Sequence, residues 1–109
     1  MNAITFNALA EPNRLNIIEL LRVGSLSVNE IAAKADLRQP QATKHLQILT
    51  RAGLIKATPI AQRRLYELQA APFIEMSEWI QTYRQIWEGR MDAMEEYATS
   101  IARKSNVKS

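Results

Sequence analysis

A chain of 109 residues with 47% hydrophobic content is one small domain's worth of folded protein and is too apolar to be disordered. Zero cysteines and a single histidine exclude disulfides, thiolate metal or redox sites and multi-histidine zinc sites, so neither a metal nor another cofactor is expected. The net charge of +3 is unevenly placed: Leu37 to Tyr66 carries six cations (Arg38, Lys44, Arg51, Lys56, Arg63, Arg64) and no carboxylate, while Phe73 to Ile101 carries six acids against Arg84 and Arg90. The first stretch is built to meet a polyanion and the second to stay away from one.

The opening, MNAITFNALAEPNR, has no basic start followed by an apolar core and does not read as a secretory signal. No apolar run approaches the length a bilayer requires, so no membrane partner and a cytoplasmic location are expected. Within Met1 to Ala10, Ile4, Phe6 and Leu9 line a short helix that Glu11 and Pro12 break. Pro12 opens a second helix whose buried stripe is Leu15, Ile17, Ile18 and Leu21, and Gly24 ends it. Ser27 to Glu30, SVNE, is a capping box: the serine oxygen takes the amide three residues on, and the glutamate reaches back to the serine amide. It starts a helix of two turns with Ile31, Ala32 and Ala35 inward, and Asp36 and Leu37 turn the chain into the next helix.

That next helix spans about 39–52. Pro40 lies in its first turn, where a missing N–H is harmless, and Gly53 suits the left-handed residue that closes it. Ala42, His45, Leu46, Ile48, Leu49 and Ala52 fall on one side at helical spacing. Gln39, Thr43, Lys44, Gln47 and Arg51 fall on the other. Amides, a hydroxyl and cations without carboxylates are the groups that pair with base edges and phosphates in a major groove. The two helices therefore read as a helix-turn-helix unit that binds double-stranded DNA through the second. His45, on the inward side, is expected to be packed and hydrogen-bonded, with a DNA contact as the alternative; one imidazole cannot hold a metal by itself.

After Gly53 the pattern changes to two β-type segments, LIKATPI and RRLYELQ, linked around Ala61 and Gln62. This hairpin, a wing over about 55–68, carries Arg63 and Arg64 at or near its tip, placed for a DNA backbone. Pro59 makes the first strand an edge, because proline cannot donate a ladder hydrogen bond. A final helix over about 72–103 opens at Pro72, and residues 104–109 read as a frayed tail. Phe73, Ile80, Trp87, Met94 and Ile101 recur every seven residues, with Met76, Tyr83 and Tyr97 at the second position and a failure at Arg90. A helix of that length is about 45 Å long, more than the small body before it can cover. Phe73, Ile80, Tyr83, Trp87 and Met94 are therefore expected to form a homodimer interface.

The order of helix, helix, SVNE helix, QPQATKHLQILTRAGLI, RRLYEL and long terminal helix resembles the ArsR/SmtB family of bacterial winged-helix repressors over nearly the whole chain. FNALAEPNRLNIIELL is similar to that family's opening and KHLQILTRAGLI to the end of its recognition helix. WIQTYRQIWEGRMDAMEEY is similar to a branch without metal-binding residues, and GSLSVNEIA lacks the cysteine motif of metal sensors. The resemblance implies a mainly α fold with a small β-hairpin, a winged helix-turn-helix with a long C-terminal dimerisation helix, over residues 1–109. It implies a homodimeric repressor on a palindromic operator, with Gln39, Thr43 and Lys44 against DNA; no effector is identified. Arg38 stands where the family often has a capping serine, and the wing lacks the glycine common at its tip. The alternative is a winged-helix protein-interaction module without DNA binding. An enzyme is not expected, because no nucleophile–base pair, glycine-rich phosphate loop or metal cluster is legible.

Overall fold

The computed structural model describes residues 2–107. The elements, in order, are α1 (Ala3–Leu9), α2 (Pro12–Leu21), β1 (Leu26–Ser27), α3 (Val28–Ala35), α4 (Gln39–Arg51), β2 (Ile55–Ile60), β3 (Arg63–Leu68) and α5 (Ala70–Val107). The chain divides into two compact units, Met1–Glu75 and Met76–Ser109.

In the first unit α1, α2 and α3 each start on a side-chain cap. Asn2 Oδ1 accepts the Thr5 amide at 3.0 Å and the Thr5 hydroxyl at 3.1 Å, which lets Thr5 be buried beside Ala8. The expected stripe is therefore displaced: Ile4 and Phe6 are exposed and Leu9 is half-buried. At the start of α2 the Glu11 carboxylate accepts the Arg14 amide at 2.9 Å. The Arg14 guanidinium folds back to donate to the Ala8 carbonyl at 2.6 Å and the Asn7 carbonyl at 3.3 Å, closing the end of α1. Ile17, Ile18 and Leu21 form the buried face of α2 as expected, but Leu15 is 49% exposed. At 3.6 residues per turn Leu15 lies well round from the face those three share.

The capping box is present: Ser27 Oγ accepts the Glu30 amide at 3.3 Å and Glu30 accepts the Ser27 amide at 3.1 Å. Its backbone is extended (φ −78, ψ 165), so Ser27 also ends a strand, β1, that has no counterpart in the sequence reading. Two residues show no alternation, so nothing local marks them as a strand. β1 pairs antiparallel with β3 through Leu26↔Tyr66 and Ser27↔Leu65, giving a three-stranded sheet in the order β1-β3-β2. β2 is an edge, as Pro59 required, and pairs with β3 from Ile55↔Leu68 to Ile60↔Arg63. Ile17, Ile31, Leu46, Leu49, Leu54 and Ile55 are the large, fully buried residues of the core.

α5 starts at Ala70, two residues before Pro72, which still lies in the first turn and so breaks no intrahelical bond. It runs to Val107, so the tail expected over 104–109 is helical through Val107; 108–109 lie outside the described residues. Within the second unit, Trp79, Ile80, Tyr83, Ile86, Trp87, Met91, Met94, Tyr97 and Ile101 are all between 42% and 70% exposed. Among the described residues no helix is long and apolar enough to cross a membrane.

Candidate nucleic-acid interface

The backbone at both ends of α4 explains why this stretch holds a fixed orientation. Asp36, in the left-handed region at φ 55 and ψ 48, closes α3, and the Leu37 amide reaches the Ala32 carbonyl at 2.9 Å. A guanidinium has no acceptor, so Arg38 cannot cap α4 with its side chain. Gln41 supplies the other half of a capping box by accepting the Arg38 amide at 3.2 Å. At the far end Gly53 takes φ 77, which lets the Leu54 amide return to the Leu49 carbonyl at 3.1 Å and turns the chain into β2.

Ala42, Leu46 and Leu49 press α4 into the core. Gln39, Lys44, Gln47 and Arg51 are exposed on the opposite side along about 20 Å of helix, and Thr43 is half-buried among them. The Thr43 hydroxyl donates to the Gln39 carbonyl at 2.9 Å, which commits its proton to the helix backbone and leaves its oxygen as an acceptor. Ile48, expected inward, is 40% exposed because it lies between the two faces.

His45 is turned inward and half-buried, as its spacing required. Its buried Nδ1 lacks the expected hydrogen bond among the described residues and stands 3.7 Å from the Glu11 carboxylate. Burial works against the charge on Glu11. The Arg14 and Asn13 hydrogen bonds, with His45 and Arg14 nearby, outweigh it and hold the carboxyl below its ordinary range. The carboxylate that caps α2 thus also faces the inner side of α4.

Arg63 and Arg64 are the first two residues of β3, opposite Ile60 and Pro59, and both are exposed. Arg63 Nη2 donates to Glu30 Oε1 at 2.9 Å, so α3's capping residue also holds the wing. The Ser27 amide and hydroxyl are the main reason the Glu30 carboxyl titrates below its ordinary range, with the Arg63 and Lys34 charges adding to it. Lower on the hairpin, Lys56 pairs with Glu67 at 3.1 Å, and Glu67 also takes the Ser25 hydroxyl at 3.5 Å. Two of the six cations between Leu37 and Tyr66 are therefore matched by carboxylates from outside that stretch. Arg38, Lys44, Arg51 and Arg64 have no ion pair among the described residues. The Glu30–Arg63 contact spans 33 residues and leaves no local signal in the sequence.

Of the residues expected at a dimer interface, Phe73 is half-buried and Ile80, Tyr83, Trp87 and Met94 are exposed on α5. Trp79 and Tyr83 meet edge to face, with ring centroids 5.0 Å apart. Arg90, where the seven-residue repeat fails, lays its guanidinium over the Trp87 ring at 5.2 Å and so covers part of the apolar stripe. Among the described residues no group of three or more His, Cys, Asp or Glu is placed to hold a metal ion.

A helix-turn-helix domain family matches residues 9–57, which run from the end of α1 into β2. The chain is 38% identical over 76 residues to the biofilm growth-associated repressor of Agrobacterium fabrum, covering 67% of this chain and 65% of that protein. It thus spans just under two thirds of that relative's length. It is 32% identical over 75 residues to the transcriptional activator HlyU of Vibrio cholerae, covering 69% of each. Among solved structures, it is similar to a homodimeric winged helix-turn-helix DNA-binding domain from Mycobacterium bovis, described as a possible ArsR-family regulator. That likeness has a TM-score of 0.64 at 28% identity and covers 76% of this chain and 77% of the other.

Proposed function

This chain belongs to the ArsR/SmtB-type winged helix-turn-helix transcriptional regulators, and from that premise we propose that it is a homodimeric, sequence-specific DNA-binding repressor. The observation that carries the reading is the outer face of α4, where Gln39, Lys44, Gln47 and Arg51 are exposed with no carboxylate among them. Lys44 and Arg51 supply salt-sensitive attraction to phosphates, and Arg64 on the wing adds to it. Gln39, Gln47 and Thr43 read base edges. Two copies, joined through the apolar stripe of α5, place two such helices in successive major grooves about 34 Å apart, so the operator is palindromic. The protein senses no metal and acts in the cytoplasm, blocking promoter DNA that polymerase needs.

Selection from a random duplex library tests this directly. The expected outcome is a two-fold symmetric consensus with half-sites one helical turn apart. No enrichment over unselected DNA, or an asymmetric site bound by one subunit, overturns the reading. Because the Vibrio relative is named an activator, the sign of regulation is read separately with a reporter carrying the selected site. Expression is expected to rise when this chain is removed.

A further inference from the structure

We propose that Arg63 is a positioning residue: its ion pair with the capping-box Glu30 fixes the tip of the wing against α3 and leaves Arg64 as the wing's cation for the DNA backbone. The inference rests on the DNA-binding reading above and assigns different work to two adjacent arginines that the sequence presents as equivalent.

Three features of the hairpin lead to it. Successive residues of a strand point to opposite faces, so Arg63 and Arg64 cannot both turn toward α3. Arg63 is the one that does, with Nη2 2.9 Å from Glu30 Oε1, the oxygen that also accepts the Ser27 amide at 3.1 Å. Arg64 has no ion pair or side-chain hydrogen bond among the described residues.

The tip also has little else to hold it. Ala61 takes φ 55, a conformation that glycine adopts readily and alanine resists, so the turn does not favour its own shape. Ile60, opposite Arg63, is exposed, so no apolar packing pins the end of β2. Lys56, Glu67 and Ser25 secure the hairpin only toward its base. Beyond the Ser27↔Leu65 pairing at its near edge, one side-chain contact among the described residues therefore ties the tip to the helix-turn-helix unit, and it ends on the helix that leads through Asp36 into α4. Wing and recognition helix are referenced to the same support.

Glu30→Gln isolates the ion pair, because glutamine still closes a capping box while losing the charge. The first readout needs no DNA. Amide exchange across residues 58–65 of the full chain is expected to quicken about two- to five-fold in Glu30→Gln and Arg63→Ala, the range of an exposed ion pair, and to stay unchanged in Arg64→Ala. The Glu30→Gln, Arg63→Ala double variant should be no faster than either single one. The second readout is the slope of log affinity against log salt on a random 24-base-pair duplex. Arg64→Ala should flatten it by about 0.9 for each phosphate that Arg64 neutralises, while Arg63→Ala and Glu30→Gln lower affinity with the slope kept. Unchanged tip exchange in Glu30→Gln and Arg63→Ala, or additive effects in the double variant, overturns the proposal. So does an Arg63→Ala slope that falls as far as that of Arg64→Ala. Failure of the unaltered chain to bind any duplex defeats the DNA-binding reading instead, and the exchange measurement still decides the ion pair.

Discussion

Replacing Trp87 with glutamate separates the fold of one chain from the proposed association of two. Trp87 is 58% exposed on α5. An indole of roughly 200–250 Å² therefore leaves roughly 130 Å² uncovered, and covering it at about 25 cal/mol per Å² contributes up to about 3 kcal/mol per copy. Two-fold symmetry counts it twice, so the dimer loses up to about 6 kcal/mol, or about 10⁴-fold in its dissociation constant. The single chain loses little. Glutamate is a better helix former than tryptophan, and the variant exchanges the Arg90 stacking over the Trp87 ring for a carboxylate three residues from the same guanidinium. Sedimentation velocity across a hundredfold range of concentration is expected to show a dimer for the unaltered chain and a monomer of unchanged helical content for the variant. Glu88→Gln, on the polar side of the same turn, serves as the control and should remain dimeric. A Trp87→Glu chain that sediments as a dimer at the same concentrations refutes the interface.

Three further outcomes are expected. Lys44 is exposed and has no ion pair among the described residues, so Lys44→Glu should leave the melting temperature unchanged. It should weaken every duplex roughly tenfold and reduce the salt slope by about 2 for a dimer, measured by anisotropy. The Glu11 and Glu30 carboxyls are both held below their ordinary range in the folded chain, so their contribution is fully present above the unfolded value of about 4.3 and is lost as pH falls through the folded ones. The urea midpoint should drop below that pH in the unaltered chain and drop less in a Glu11→Gln, Glu30→Gln variant. Ala61→Gly should raise the unfolding free energy by up to about 1 kcal/mol, read as a higher urea midpoint, because relief of the positive φ outweighs the added freedom of the unfolded chain.

The parts of this fold that the sequence made legible are those written in local chemistry. Pro40 and Gly53 bracket α4, Ser27 and Glu30 close their box, and Pro59 lies on an edge strand, each because the relevant preference acts within four residues. What was illegible depends on partners distant in sequence. The two residues of β1 are a strand only because β3 lies beside them. Short helices such as α1 carry apolar residues on more than one side, and which side is buried is decided by packing; Thr5 goes inward because Asn2 satisfies its hydroxyl. The charge pattern was readable as a carboxylate-free stretch, but not as a surface. Glu30 and Glu67 lie outside Leu37–Tyr66 in sequence and beside Arg63 and Lys56 in space.

That last difference changes how the basic stretch works. Six cations on an undivided surface would attract any polyanion and distinguish little. Here Lys56 and Arg63 are turned into struts within the hairpin and between hairpin and α3, while Lys44 and Arg51 remain on α4 beside the amides of Gln39 and Gln47. On the proposed reading, the attraction left on α4 lies beside side chains able to read bases, Arg64 adds to it from the wing, and the paired cations hold the hairpin in place. Glu11 does the corresponding work behind α4: one carboxylate caps α2 and faces the buried nitrogen of His45. Carboxylates kept off the outer face of α4 thus fix the position of the elements around it, so the same residue type is excluded from the candidate contact surface and required immediately behind it.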